Sequence, residues 1–240
     1  MNTDIHRAKD RGSANHGWLQ ANFSFSFAQY YNPNRMHFGV LRVLNDDYIS
    51  GGAGFGTHPH DNMEIITIPL SGALAHRDSM GNGGTIAVND VQVMSAGTGI
   101  QHSEYNASET ETANTLQIWI FPKIRQVAPR YDQRHFDPIN HRNKFQLLIS
   151  PKPEDGVLWV HQDTWFTIGE FDSGITTICQ THISGNGLFI FLIEGQISIN
   201  QHILDRRDAI AISDIEHKEI RIDVIQHAKI LIIEVPMHIG

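Results

Sequence analysis

The chain has 240 residues, with 18 Lys and Arg against 26 Asp and Glu, and its formal net charge of -8 with neutral histidines argues against a general nucleic-acid or membrane-surface binder. Its 40% apolar and 18% charged residues, with 20 glycines and 9 prolines, exclude a disordered, collagenous or disulfide-rich chain. Cys179 is the only cysteine, which excludes an intramolecular disulfide and any cysteine-cluster site, whereas 15 histidines raise the question of whether some converge on a metal.

The first residues, Met1-Asn2-Thr3-Asp4-Ile5-His6-Arg7, lack the apolar core of a signal peptide, and no stretch approaches the ~18 apolar residues of a membrane span. A soluble, cytoplasmic protein is expected, with neither nucleic acid nor membrane as partner. Short runs rich in β-branched and aromatic residues predict strands over 38–44, 63–68, 85–88 and 115–121. Residues 128–143, with prolines and mixed charges, predict a loop-rich connection. The pattern then resumes with strands over 165–168, 175–183, 188–193, 196–199, 208–212, 219–222 and 229–235. Helical periodicity is almost absent. Many short strands separated by turn residues point to a β-sandwich, jelly roll or barrel. In each half a strand runs into a glycine and a short polar strand, through Gly72 to His76 and through Gly195 to Ile199, which suggests two similar β domains.

The densest signal is Gly54-Phe55-Gly56-Thr57-His58-Pro59-His60, followed by Met63-Glu64 and later by Gly99-Ile100-Gln101-His102-Ser103-Glu104. In extended chain, residues i and i+2 share a face, so His58 with His60, and His102 with Glu104, offer three imidazoles and one carboxylate. Glu64 either ligates or lies behind the ligands, and is left outside the donor set. Such donors suit Fe, Ni, Cu, Co, Mn or Zn, and leave coordination positions open for a bidentate oxygen ligand, dioxygen or water. Phe55, Met63, Met94 and Trp119 either line an apolar pocket or fill ordinary core. His37 and His76 lie in or beside predicted strands and are not assigned to the site. Packing accounts for Trp18, Tyr30 and Tyr31, and a hairpin turn for Asp78 with Asn82-Gly83-Gly84.

The segment from Gly54 to Gly72 resembles the first cupin motif, and Gly99-x-x-His102-x-x-x-Asn106 the second. Asn89 and Gly97 stand where that second motif usually carries Gly and Pro, both at turns. With Asn15-His16-Gly17-Trp18-Leu19, Phe25-Ser26-Phe27, Tyr30-Tyr31-Asn32-Pro33 and 76–82, the order and spacing resemble the pirin family, and within it bacterial pirin-like proteins assigned as quercetin 2,3-dioxygenases. The resemblance implies an all-β bicupin: two β-barrel (jelly-roll, double-stranded β-helix) domains facing each other. The expected division is 1–130 for a metal-binding N-terminal cupin and 131–240 for a C-terminal cupin without metal. The implied ligands match His58, His60, His102 and Glu104, the same four that spacing selects, with iron the expected ion. His182, His202, His217 and His227 are read as surface or packing residues.

The resemblance further implies a flavonol such as quercetin and dioxygen as partners, the hydroxyl and neighbouring carbonyl oxygens of the flavonol chelating the ion. Glu104 would act as catalytic base on that hydroxyl, and dioxygen would open the ring with loss of carbon monoxide. Two other readings compete. One is a non-catalytic regulatory protein that binds a partner, also implied by pirin's eukaryotic members, although no basic nuclear-localisation-like run is present. The other is a different cupin metalloenzyme such as an isomerase, since fold does not fix reaction.

Overall fold

The computed structural model describes residues 1–215 and 219–239, so His217 lies outside the described residues. Among the described residues, apart from the 3-10 turns Ala8–Asp10, Pro138–His141 and Pro153–Asp155, the regular structure is all strand. Among the described residues no helix is long and apolar enough to cross a membrane.

The architecture is the expected all-β bicupin. In the first barrel a seven-stranded sheet runs in the spatial order Arg130–His135, Asp90–Ser95, Glu64–Ser71, Ala113–Ile120, Leu41–Ile49, Leu19–Phe23 and Gly12–Asn15. It faces a four-stranded sheet ordered Gly54–His60, Ile100–Asn106, Ala73–Asp78 and Gly83–Ala87. The second barrel is one nine-stranded sheet built around Asn186–Ile199 and Ile220–Pro236.

Strand pairing crosses the expected division after residue 130 twice. Asn2–His6 pairs antiparallel with Ala209–Ser213, in the second barrel. Arg130–His135 lies inside the predicted loop-rich connection, yet it pairs with Asp90–Ser95 and extends the first. Two predicted pairs of strands are each one long strand: 188–193 and 196–199 lie within Asn186–Ile199, and 219–222 and 229–235 merge in Ile220–Pro236 apart from its first residue. Gly195 explains the first, because register shifts surround it and its φ of +93° keeps a bent strand continuous where the sequence suggests a turn.

The predicted strand 38–44 begins instead at Leu41 and runs on to Ile49, through Asn45-Asp46-Asp47. Its polar centre reads as a boundary in sequence but is buried throughout. The reason is that this strand is covered on both faces. Leu44 packs in the cluster shared by the two barrels, whereas Ile49 packs in a cluster of the first barrel's interior. The shared cluster sets Leu44, Ile66, Leu116 and Ile118 against Leu148, Phe166, Phe189 and Leu231 of the second barrel. At roughly 1.5–3 kcal/mol for each such side chain removed from water, this junction is too extensive to serve as a loose hinge. Asp46, on the same face as Leu44, accepts from Asn114 Nδ2 at 2.8 Å and lies 3.4 Å from both Arg11 Nη1 and Arg207 Nε.

Candidate metal centre

The strands Gly54–His60 and Ile100–Asn106 are antiparallel neighbours, with His102 directly opposite His58 and Ile100 opposite His60. Between His102 and Glu104 the register slips, so Gly56 and Thr57 together oppose Ser103. Such a bulge re-aims the side chains beside it. Here His58 Nδ1 meets the Gly56 carbonyl at 2.8 Å, and because a carbonyl only accepts, Nδ1 carries a proton and Nε2 is the nitrogen turned away from that bond.

The rings of His58, His60 and His102 converge, with centroid separations of 4.8, 4.5 and 4.9 Å. Their ligand atoms lie within 4.8 Å of one another. Burial, then the charge of His58, lowers the His60 pKa to about 4. For His102 burial and the surrounding histidines lower it to about 2. Both rings are therefore neutral at physiological pH, the form that ligates metals. Both nitrogens of His102 are buried without a hydrogen-bond partner. Three converging imidazoles, two of them neutral and one, His102, with both nitrogens orphaned, fit a divalent transition metal better than they fit structural packing.

Glu104 is buried and joins His102 and His76 in a second group whose ligand atoms also lie within 4.8 Å of one another. Gln117 Nε2 donates to Glu104 Oε2 at 2.9 Å, and Thr67 Oγ1 lies 3.2 Å from Oε1. Burial raises the Glu104 pKa, while the Thr67 hydrogen bond, the His58 charge and the Gln117 hydrogen bond pull it back. His76, left out of the sequence-derived set, stands directly opposite Glu104 across the strand pair. Its ring stacks on Tyr131 at 4.8 Å, burial lowers its pKa against the pull of Asp78, and neither buried nitrogen has a hydrogen bond, Nε2 lying 3.7 Å from Asp78 Oδ2. One sequence signal could have found it: His76-x-Asp78 repeats the i, i+2 spacing of the other pairs, and Asp78 lies opposite His102.

Glu64 belongs to neither group. On its strand Thr67 reaches Glu104, whereas Ile66 and Ile68 pack in the cluster between the barrels, so alternation turns Glu64 away from the histidines. There it accepts from Ser95 Oγ at 2.7 Å, and burial raises its pKa to about 7.

A cavity of about 200 Å³ opens beside the histidines. Phe27, Phe55 and Trp119 supply aromatic walls; Asn45, Asp47 and Gln117 are its polar lining, next to His58, His60 and Glu104. Of the four candidate pocket residues, Phe55 and Trp119 line this cavity. Met63 and Met94 instead pack with Ile65 and Ile100 in the barrel core. Trp18 stands edge-on to Phe55 at 5.2 Å and Tyr30 packs beside Phe23, as packing residues would, whereas Tyr31 is exposed.

The remaining sequence readings fall elsewhere. Asp78 Oδ1 accepts the N–H groups of Met80 and Asn82 at the tip of the Ala73–Asp78 hairpin. Asn89 and Gly97 both adopt positive φ, +70° and +50°. His37 Nδ1 meets the Gly39 carbonyl at 2.9 Å, away from the cavity. In the second barrel His182 Nδ1 pairs with the buried Glu234 at 2.6 Å, and His227 Nε2 lies 3.1 Å from Glu170.

A family model described as pirin matches residues 5–120, and one described as the quercetinase C-terminal cupin domain matches residues 147–235. Quercetin 2,3-dioxygenase of Escherichia coli K12 is 42% identical over 236 residues, which cover 97% of this chain and 98% of that protein. The crystal structure of YhhW from Escherichia coli superimposes with a TM-score of 0.93 at 41% identity, over the full length of both chains. A second structure, of bacterial pirin YhhW from Escherichia coli in complex with nickel(II), superimposes with a TM-score of 0.91 at 41% identity, over 98% of this chain and 99% of that one.

Proposed function

The chain belongs to the pirin family, and on that premise we propose that it is a metal-dependent dioxygenase that cleaves quercetin or a related flavonol. The observation that carries this reading is the convergence of His58, His60 and His102 beside an aromatic-lined cavity whose wall includes His58 and His60. The name of the Escherichia coli relative supports the substrate class, and the nickel complex of a similar structure supports a divalent ion.

In this reading His58, His60, His102 and Glu104 would hold the ion, with iron the proposed metal. The ion would supply Lewis-acid polarisation of the flavonol's hydroxyl and carbonyl oxygens and a place for dioxygen. The chain's own part is positioning, proton transfer and exclusion of water. The Gly56 carbonyl fixes the His58 ring, and Gln117 and Thr67 fix the Glu104 carboxyl. Glu104 takes the proton from the flavonol hydroxyl as the substrate enters, and burial makes it a stronger base than a solvated carboxylate. Phe27, Phe55 and Trp119 bracket a flat ring and keep water from the reacting carbons. Both atoms of dioxygen enter the ester product, and one ring carbon leaves as carbon monoxide.

The test is dioxygen uptake and carbon monoxide release with quercetin, using protein stripped of metal and reloaded separately with Fe, Ni, Cu, Co, Mn and Zn. Uptake with a redox-capable ion, lost in His58→Ala/His102→Ala, is the expected result. Stoichiometric metal binding without uptake for any ion would overturn the reading.

A further inference from the structure

Asn45 and Asp47 belong to neither histidine group, yet both are buried in the wall of the same cavity. They stand two residues apart on Leu41–Ile49 and so share its inner face, Asn45 opposite Gln117 and Asp47 opposite Thr115. Along this wall Asn45 Oδ1, Asp47 Oδ1 and Trp119 Nε1 are all buried without a hydrogen-bond partner. Asp46, between them on the other face, is engaged by Arg11, Arg207 and Asn114.

Buried polar atoms without partners destabilise a fold. Packing does not demand polar residues here, since Val43 and Ile49, inward-facing on the same strand, are buried aliphatics. The unpaired atoms therefore await a partner that enters the cavity. Burial, with Asp46 and Glu104 adding to it, pushes the Asp47 carboxyl up to about 8, so at neutral pH it is mostly protonated and can donate as well as accept.

We propose that Asn45 and Asp47 form a recognition subsite for ring hydroxyl groups of the substrate other than its chelating one. The ligand class narrows from flat aromatic enols to polyhydroxylated ones: their O–H groups donate to the Asn45 and Asp47 oxygens, and Trp119 Nε1 donates to a ligand oxygen. This inference rests on the reading that a flavonol occupies the cavity, and its test separates the two.

The experiment measures equilibrium binding by fluorescence quenching on the nickel-loaded full-length protein under nitrogen. The two probes are quercetin and 3-hydroxyflavone, which keeps the chelating pair and lacks every other hydroxyl. The parent protein is expected to bind quercetin about tenfold more tightly, the worth of one or two hydrogen bonds. In Asn45→Ala/Asp47→Ala the two probes should bind within about twofold of each other, and Asp47→Asn should keep part of the preference. Equal binding of the probes by the parent protein overturns the subsite, whether or not any variant folds. So does a double variant that keeps the full preference. Oxygen uptake is read separately: a hydroxyl preference without uptake sinks the dioxygenase reading alone, and uptake without preference sinks the subsite alone.

Discussion

Gln117 donates a 2.9 Å hydrogen bond to Glu104, from the seven-stranded sheet of the first barrel to the four-stranded sheet facing it. A buried carboxyl in the centre is thereby fixed by a residue of the opposite wall. Gln117→Leu should leave the metal content unchanged and lower turnover by about tenfold or more, a modest part of the 10²–10⁴ that a positioned base supplies. The sign of its pH effect follows from the bond: Gln117 holds the Glu104 pKa down, so its loss raises that pKa and moves the rising limb of the pH-rate profile to higher pH. Oxygen uptake measured across pH checks both; an unmoved limb would mean that Glu104 is not the base.

Metal removal should show in stability. The three histidines sit on two strands of one sheet, so an ion held by them cross-links Gly54–His60 to Ile100–Asn106. Ion at 100 times its Kd adds about 2.7 kcal/mol, or roughly 5–10 °C in Tm for a chain of this size. Thermal unfolding with and without a chelator measures it, and His58→Ala/His60→Ala should abolish the difference.

His6 provides a pH-dependent term at the barrel junction. Its ring lies edge-on between Phe25 of the first barrel and Phe189 of the second, at 5.7 and 5.1 Å, and burial lowers its pKa to about 4. The unfolded chain therefore takes up this proton near pH 6.5 and the folded chain only near 4. Stability should fall by about 3 kcal/mol as pH drops through that window. Denaturant unfolding at several pH values should show a flatter dependence in His6→Phe than in the parent protein.

Gly97 governs the approach to His102. Its φ is +50°, and a Cβ there would lie 2.1 Å from the Val127 carbonyl oxygen. Gly97→Ala should cost more than about 2 kcal/mol, combining left-handed strain with a backbone clash. Denaturant unfolding gives the value; a loss within error would mean that the 95–99 turn relaxes freely.

Much of this was legible in the sequence because period-2 spacing is a local property. His58 with His60, and His102 with Glu104, declare a shared face wherever the strands end up. What was not legible depends on the partner strand. His76-x-Asp78 carries the same spacing, but what brings His76 to the site is the register of Ala73–Asp78 on Ile100–Asn106, which sets it opposite Glu104. Asn45-Asp46-Asp47 has the composition of a turn and became strand because both faces are covered, one meeting Arg11 and Arg207 and the other the cavity. Low β propensity was overridden by tertiary packing at a stretch whose polarity serves a junction on one side and a ligand space on the other.

The pairing of Asn2–His6 with Ala209–Ser213 also has a consequence in time. Asp4 meets Ala211 across almost the whole length of the chain. A ribosome adding about 5–20 residues per second needs roughly 10–40 s between making one and making the other. During that interval the first strand has no edge to join, and the face of the first barrel that will meet the second stays open to solvent. Closure of the molecule therefore waits until residues 209–213 have been made, and a nascent chain stalled before residue 209 would present an unpaired strand and an apolar surface to whatever chaperones attend it.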